Sequence, residues 1–99
     1  MIDAGFLERA NRLWAEANEW VAQGRHRDAL PLLQQLTRMV PDDAAVMFTL
    51  GLCFYELGDF MAAASSLSRA ILVDPQDRKT ANMLVRSYVM LARTYAEYP

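Results

Sequence analysis

Cysteine and histidine are nearly missing from this chain of 99 residues, where Cys53 and His26 each stand alone. A single cysteine excludes an internal disulfide framework and suits a reducing compartment. One thiol and one imidazole in separate segments supply neither a nucleophile with its base nor the three or four ligands of a metal site. The chain is therefore read as a non-enzyme with no metal and no cofactor. His26 follows Gly24 in a turn and reads as a helix-start or surface residue. Cys53, beside Phe54 in an apolar run, reads as a buried, inert thiol. Carboxylate neighbours such as Asp42 with Asp43, and Glu16 with Glu19, read as caps and solvated faces. No glycine-rich loop that would cradle a phosphate is present, the 4 glycines being scattered.

Charge of one sign is lacking too. With 10 basic against 12 acidic residues, a formal charge of -2 and a pI near 5.2, the chain has no electrostatic footprint for a nucleic-acid backbone. Long hydrophobic runs are absent: the longest stretch of low polarity, Ala44 to Tyr55, falls well short of the ~20 residues a membrane helix needs. The opening residues Met1 to Glu8 show no basic segment ahead of an apolar run. These absences lead to an expectation of a soluble, cytoplasmic protein without membrane insertion.

What the chain does have is hydrophobic content, 54%, arranged at helical period. A chain of this size makes one domain and buries roughly 65% of its extended surface, so its core is thin. A helix-period run from Ala45 to Leu57 breaks at Gly58 and Asp59, and a second from Phe60 to Val73 stops at Asp74 and Pro75. Two helices joined so tightly lie antiparallel. A backward shift of 34 residues pairs Leu13 with Met47, Ala17 with Gly51, Trp20 with Phe54, Gly24 with Gly58, Ala29 with Ala63, Leu33 with Leu67 and Pro41 with Pro75. The unit is thus a repeat. It departs at Glu16, which stands where Leu50 does and is expected on an outer edge. Pro31, about one turn into a helix, should bend rather than abolish it.

The same shift forward sets Ala81, Leu84, Val85 and Tyr88 against Met47, Leu50, Gly51 and Phe54. It then fails, with Ala92 in the place of the turn glycine. A last helix is expected from near Arg78 to Tyr95 or Glu97, giving five helices. Asp43, Asp59 and Asp77 each precede a helix, where a carboxylate accepts from free backbone donors and meets the positive end of the dipole.

Met47-x2-Leu50-Gly51-x2-Phe54, Ala63-x3-Leu67 and Pro75 stand where the tetratricopeptide pattern has Trp-x2-Leu-Gly-x2-Tyr, Ala-x3-Phe and Pro, and the chain resembles that family. The resemblance implies an all-α fold, a short solenoid of antiparallel helix pairs. Its parts would be a first repeat over 10–43, a second over 44–77 and a capping helix over 78–97. In such proteins the face of each first helix opposite the packing stripe lines a concave groove. Here that face carries Ala45, Phe48, Leu52 and Tyr55 at the centre, Asn11, Trp14, Asn18 and Val21 on one wall, and Lys79, Asn82, Arg86 and Val89 on the other. The middle helix is then apolar nearly all round, which calls for burial on both sides.

This groove leads to the expectation of a protein-interaction module, an adaptor or small chaperone that receives a peptide segment of a partner. Phe48, Leu52, Tyr55 and Trp14 would anchor it, Asn18 and Asn82 would satisfy its backbone, and Lys79 and Arg86 would meet a carboxylate. The competing reading has one of the aromatics filling a gap between repeats. The carboxylate clamp of the tetratricopeptide co-chaperones is matched only at Asn18 and Lys79, with Trp14, Thr49 and Met83 replacing its other residues, so no such clamp is expected. Small size, acidic balance and an apolar groove also resemble the tetratricopeptide chaperones of bacterial type III secretion. The alternative function is a self-assembly unit, a homo-oligomer formed through the last helix, whose Met83, Val89, Met90 or Tyr95 would stay partly uncovered.

Overall fold

The computed structural model describes residues 3–97, the side chain of Glu97 excepted. Five helices follow one another: α1 Ala4–Ala22, α2 His26–Met39, α3 Ala44–Glu56, α4 Phe60–Val73 and α5 Arg78–Glu97. The described residues contain no strand. Each helix packs on its sequence neighbour, and α5 also touches α3 lightly. The stack measures 52 × 28 × 19 Å.

Helix ends follow from local chemistry. Asp43 accepts from the Val46 N–H at 3.1 Å and Asp59 from the Ala62 N–H at 3.1 Å. Asp77 accepts from the Lys79 N–H and from the Thr80 hydroxyl, both at 3.0 Å. Asp3 serves α1 in the same way through the Phe6 N–H at 2.6 Å. Each aspartate satisfies a backbone donor that the first helical turn leaves free. The tight turns within the pairs rest on Gly24 and Gly58, whose φ of 74° and 84° fall in the left-handed region. There the next N–H reaches back, Arg25 to the Trp20 carbonyl and Asp59 to the Phe54 carbonyl, both at 2.9 Å, which closes each helix. Pro31 lies inside α2, which continues through it.

The core is a row of small and aliphatic side chains on facing helices. Ala17, Ala29, Leu33, Leu36, Val46, Leu50 and Cys53 form one buried cluster, with Leu13, Trp14, Trp20 and Phe54 packed around it. Met47, Ala63, Leu67 and Ala70 continue the buried row between α3 and α4. Burying one leucine in such a row stabilises by about 1.5–3 kcal/mol. At Gly51 the two helices come closest: a Cβ there would lie 2.7 Å from Leu67 Cγ and 3.4 Å from the Ala63 carbonyl oxygen. Nothing larger than glycine fits without displacement.

The last helix buries a different stripe from the one that α3 turns toward α4. Thr80 and Ser87, counterparts of Val46 and Cys53, are 2% and 0% exposed. Ser87 settles its hydroxyl on the Met83 carbonyl at 2.9 Å, so a polar side chain is tolerated there. Ala81, Val85 and Tyr88, counterparts of Met47, Gly51 and Phe54, are exposed, Val85 at 61% and Tyr88 at 53%. Among the described residues no helix follows α5 to cover them. No described helix is long and apolar enough to cross a membrane.

Candidate functional site

On α3, Val46, Met47, Leu50, Gly51 and Cys53 face into the stack. Phe48, Leu52 and Tyr55, on the remaining face, are half-buried, and Ala45 is exposed. This apolar row spans about 15 Å along the helix, from the rise per residue between Ala45 and Tyr55. A hollow lies near each end. The first, of about 190 Å³, is lined by Leu7, Ala10, Asn11, Trp14, Leu36, Val40, Asp43, Ala45 and Val46. The second, of about 330 Å³, is lined by Tyr55, Val85, Arg86, Val89, Met90 and Arg93.

The residues singled out in the sequence therefore meet in small groups. Asn11 and Trp14 share the first hollow, and Tyr55 and Arg86 share the second. Between them the Lys79 ammonium sits 4.4 Å from the centre of the Phe48 ring, a cation–π contact that roofs part of the aromatic surface. Leu52, one turn further along α3, is half-buried. Tyr55 packs edge-on against Phe60 with ring centres 5.3 Å apart, so its body is held by its own repeat. Asn18 is partly committed, its side-chain amide donating to the Trp14 carbonyl at 2.9 Å. Asn82 is exposed, and neither asparagine lines either hollow.

Arg93 and Met90 also line the second hollow, beyond the residues that the sequence pattern marks for the groove. The sequence does carry a signal for Arg93: Lys79, Arg86 and Arg93 recur every seven residues and share one face of α5. That signal lies past the point where the 34-residue register breaks down. The face is basic, and α5 carries no acidic residue other than Glu97. Thr49, at the place where the co-chaperone clamp has asparagine, is buried and bonded to the Ala45 carbonyl at 2.9 Å.

Among the described residues no three His, Cys, Asp or Glu side chains come together as metal ligands. Cys53 is fully buried, and burial, with Glu56 adding to it, pushes its thiol up to about 11, so it stays protonated at neutral pH. His26 is the first residue of α2 and half-buried.

A family model described as Tetratricopeptide repeat matches residues 14–79, two thirds of the chain. Among solved structures, a mutant of MamA superposes with a TM-score of 0.81 at 24% sequence identity. The match covers 91% of this chain and 66% of that one, so the chain spans just under two thirds of its length. At that identity the likeness speaks for the fold alone. No curated protein matches significantly.

Proposed function

The chain belongs to the tetratricopeptide repeat family, whose repeats generally mediate protein–protein interaction, and from that premise we propose that it is an adaptor or small chaperone that takes a peptide segment on the face of α3. The observation that carries the reading is the row Phe48, Leu52 and Tyr55, half-buried and running between two hollows. An apolar row with a depression at each end suits a segment with two bulky anchors, one against Trp14 and one against Tyr55. Lys79, Arg86 and Arg93 along one edge favour acidic residues on the α5 side of that segment. Asn11 and Asn82 stand exposed at the margins as backbone donors and acceptors. The family's interaction role supports a protein partner rather than a nucleic acid, and the balanced charge agrees.

The test is retention of partners from native extract by wild type beside Phe48→Glu and Tyr55→Ala. Losing one such aromatic contact removes about 1.5–3 kcal/mol of burial, or roughly tenfold to a hundredfold in affinity. A partner held by wild type and lost by both variants, with helical content unchanged by circular dichroism, is the expected result. A partner that both variants hold as well as wild type would rule out this face.

A further inference from the structure

Two pairs of side chains stand at matched levels along the face of α3. The Lys79 ammonium lies 4.4 Å from the centre of the Phe48 ring, and Arg86 shares a hollow with Tyr55. Phe48 and Tyr55 are seven residues apart on α3, and Lys79 and Arg86 are seven apart on α5. A cation beside an aromatic ring therefore recurs after about 10.5 Å, and Arg93 carries the basic row one step further. We propose that the segment received here is an α-helix lying lengthwise along α3, with an apolar stripe toward Phe48 and Tyr55 and an acidic residue at every seventh position toward α5. This names the class of partner for the site proposed above and rests on that reading.

Three observations select a helix of this kind. The first is period. An α-helix presents the same face again after seven residues and a rise of about 10.5 Å, so its acidic and apolar side chains reach each level together. Both rows drift by about 20° per step, a drift that a helix crossing at about 20° follows. A strand covers 10.5 Å in about three residues, and an odd step turns the side chain to the opposite face. A polyproline II segment keeps its face every three residues but advances only about 9.3 Å, so it lags by about 2.4 Å at Arg93.

The second is the backbone. Ala45, Phe48, Leu52 and Tyr55 offer one hydroxyl and no other side-chain donor or acceptor. Asn18 already donates to the Trp14 carbonyl, and neither it nor Asn82 lines a hollow. An extended segment on this floor leaves backbone N–H and C=O groups without partners, whereas a helix bonds its own.

The third is charge. Lys79, Arg86 and Arg93 are exposed, and among the described residues the ion pair that forms is Arg25 with Asp28, elsewhere on the surface. Asp77 feels Lys79 but its oxygens accept from the Thr80 hydroxyl and the Lys79 N–H. The opposite wall, Asn11, Trp14, Asn18 and Val21, is uncharged. Acids are therefore favoured on one flank of the helix alone.

The test uses the full chain and synthetic peptides of about three heptads, with binding read by fluorescence anisotropy. The first peptide carries leucine at the a and d positions and one glutamate per heptad beside that stripe, with alanine and glutamine elsewhere. The second moves the glutamates to the far face. The third permutes the same residues so that leucine alternates with polar residues, as in a strand. The first should bind roughly tenfold tighter than the second, with the margin shrinking at high salt, and should gain helix by circular dichroism in the complex. Arg86→Glu should weaken it, and lysine in place of its middle glutamate should restore binding to that variant. Equal affinity for the first two peptides overturns the acidic register, and a third peptide that binds as tightly as the first overturns the helix. In either case, loss of binding with Phe48→Glu would leave the site itself standing. A first peptide held equally by wild type and Phe48→Glu overturns both the helix and the site. Failure of all three to bind overturns the helix, while retention of partners from extract still decides the site.

Discussion

Helices α3 and α5 hold corresponding places in successive repeats, yet one is enclosed and the other half bare. On α3 Met47 is buried, Gly51 lies against Leu67 and Ala63 of α4, and Phe54 is half-buried against the core cluster. Their counterparts on α5, Ala81, Val85 and Tyr88, face outward. What the two helices share is the stripe toward the preceding repeat, Val46 with Cys53 in one and Thr80 with Ser87 in the other, all at most 3% exposed. Inward packing is thus common to both, and the outward stripe depends on a neighbour. Residue size follows that difference. Gly51 has no room for a Cβ, whereas Val85 is free to be branched.

Substitutions at matched places break this comparison in graded steps. The largest effect belongs to Leu67→Ala, which empties the fully buried site over Gly51 and should cost about 2–5 kcal/mol in chemical denaturation. Gly51→Val should cost about 1–3 kcal/mol by the same measurement, because the added atoms have to push Leu67 and the Ala63 carbonyl aside.

A smaller effect is expected at the start of α5, from acid. The Thr80 hydroxyl, with the backbone N–H groups of Lys79 and Thr80, holds the Asp77 carboxyl below the usual carboxylate range. A lowered folded value means that the unfolded chain binds this proton first as pH falls. The contribution is therefore fully present above the ordinary aspartate value and fades as pH drops through the lowered one. Thermal melts of wild type and Asp77→Asn should converge across that acidic window and separate above it. Equal separation at every pH would show that the cap acts without its charge. The smallest effect is Val85→Ala: at dilute concentration it should leave stability within about 0.5 kcal/mol, on the favourable side, since alanine is the better helix former on an exposed face. Gly51 and Val85 thus occupy the same place in the repeat but should respond with opposite sign when side-chain size increases at one and decreases at the other.

Much of the fold was legible because it is written in short-range chemistry. Gly24 and Gly58 announce left-handed turns, and Asp43, Asp59 and Asp77 announce helix starts. The repeat of Ala29 at Ala63 and Leu33 at Leu67 announces the buried row. The candidate site was less legible. The face of α3 that carries Phe48, Leu52 and Tyr55 follows from helical period. That Lys79 lies over Phe48 does not, because it depends on how α5 leans across α3. Asn18 reads as a free amide until the helix around it supplies the Trp14 carbonyl. Arg93 escaped because the register that located Arg86 fails at Ala92, just before it, while the helix itself runs on.

The sequence by itself determined the family, the order of helices and most of their ends, since capping, turn conformation and the 34-residue period each act within a few residues or between copies of one pattern. Only the tertiary structure decided which of two equivalent apolar stripes is covered. The same spacing that makes Phe54 part of the core leaves Tyr88 in the open. Burial belongs to a residue together with what packs on it, and that neighbour comes from elsewhere in the chain.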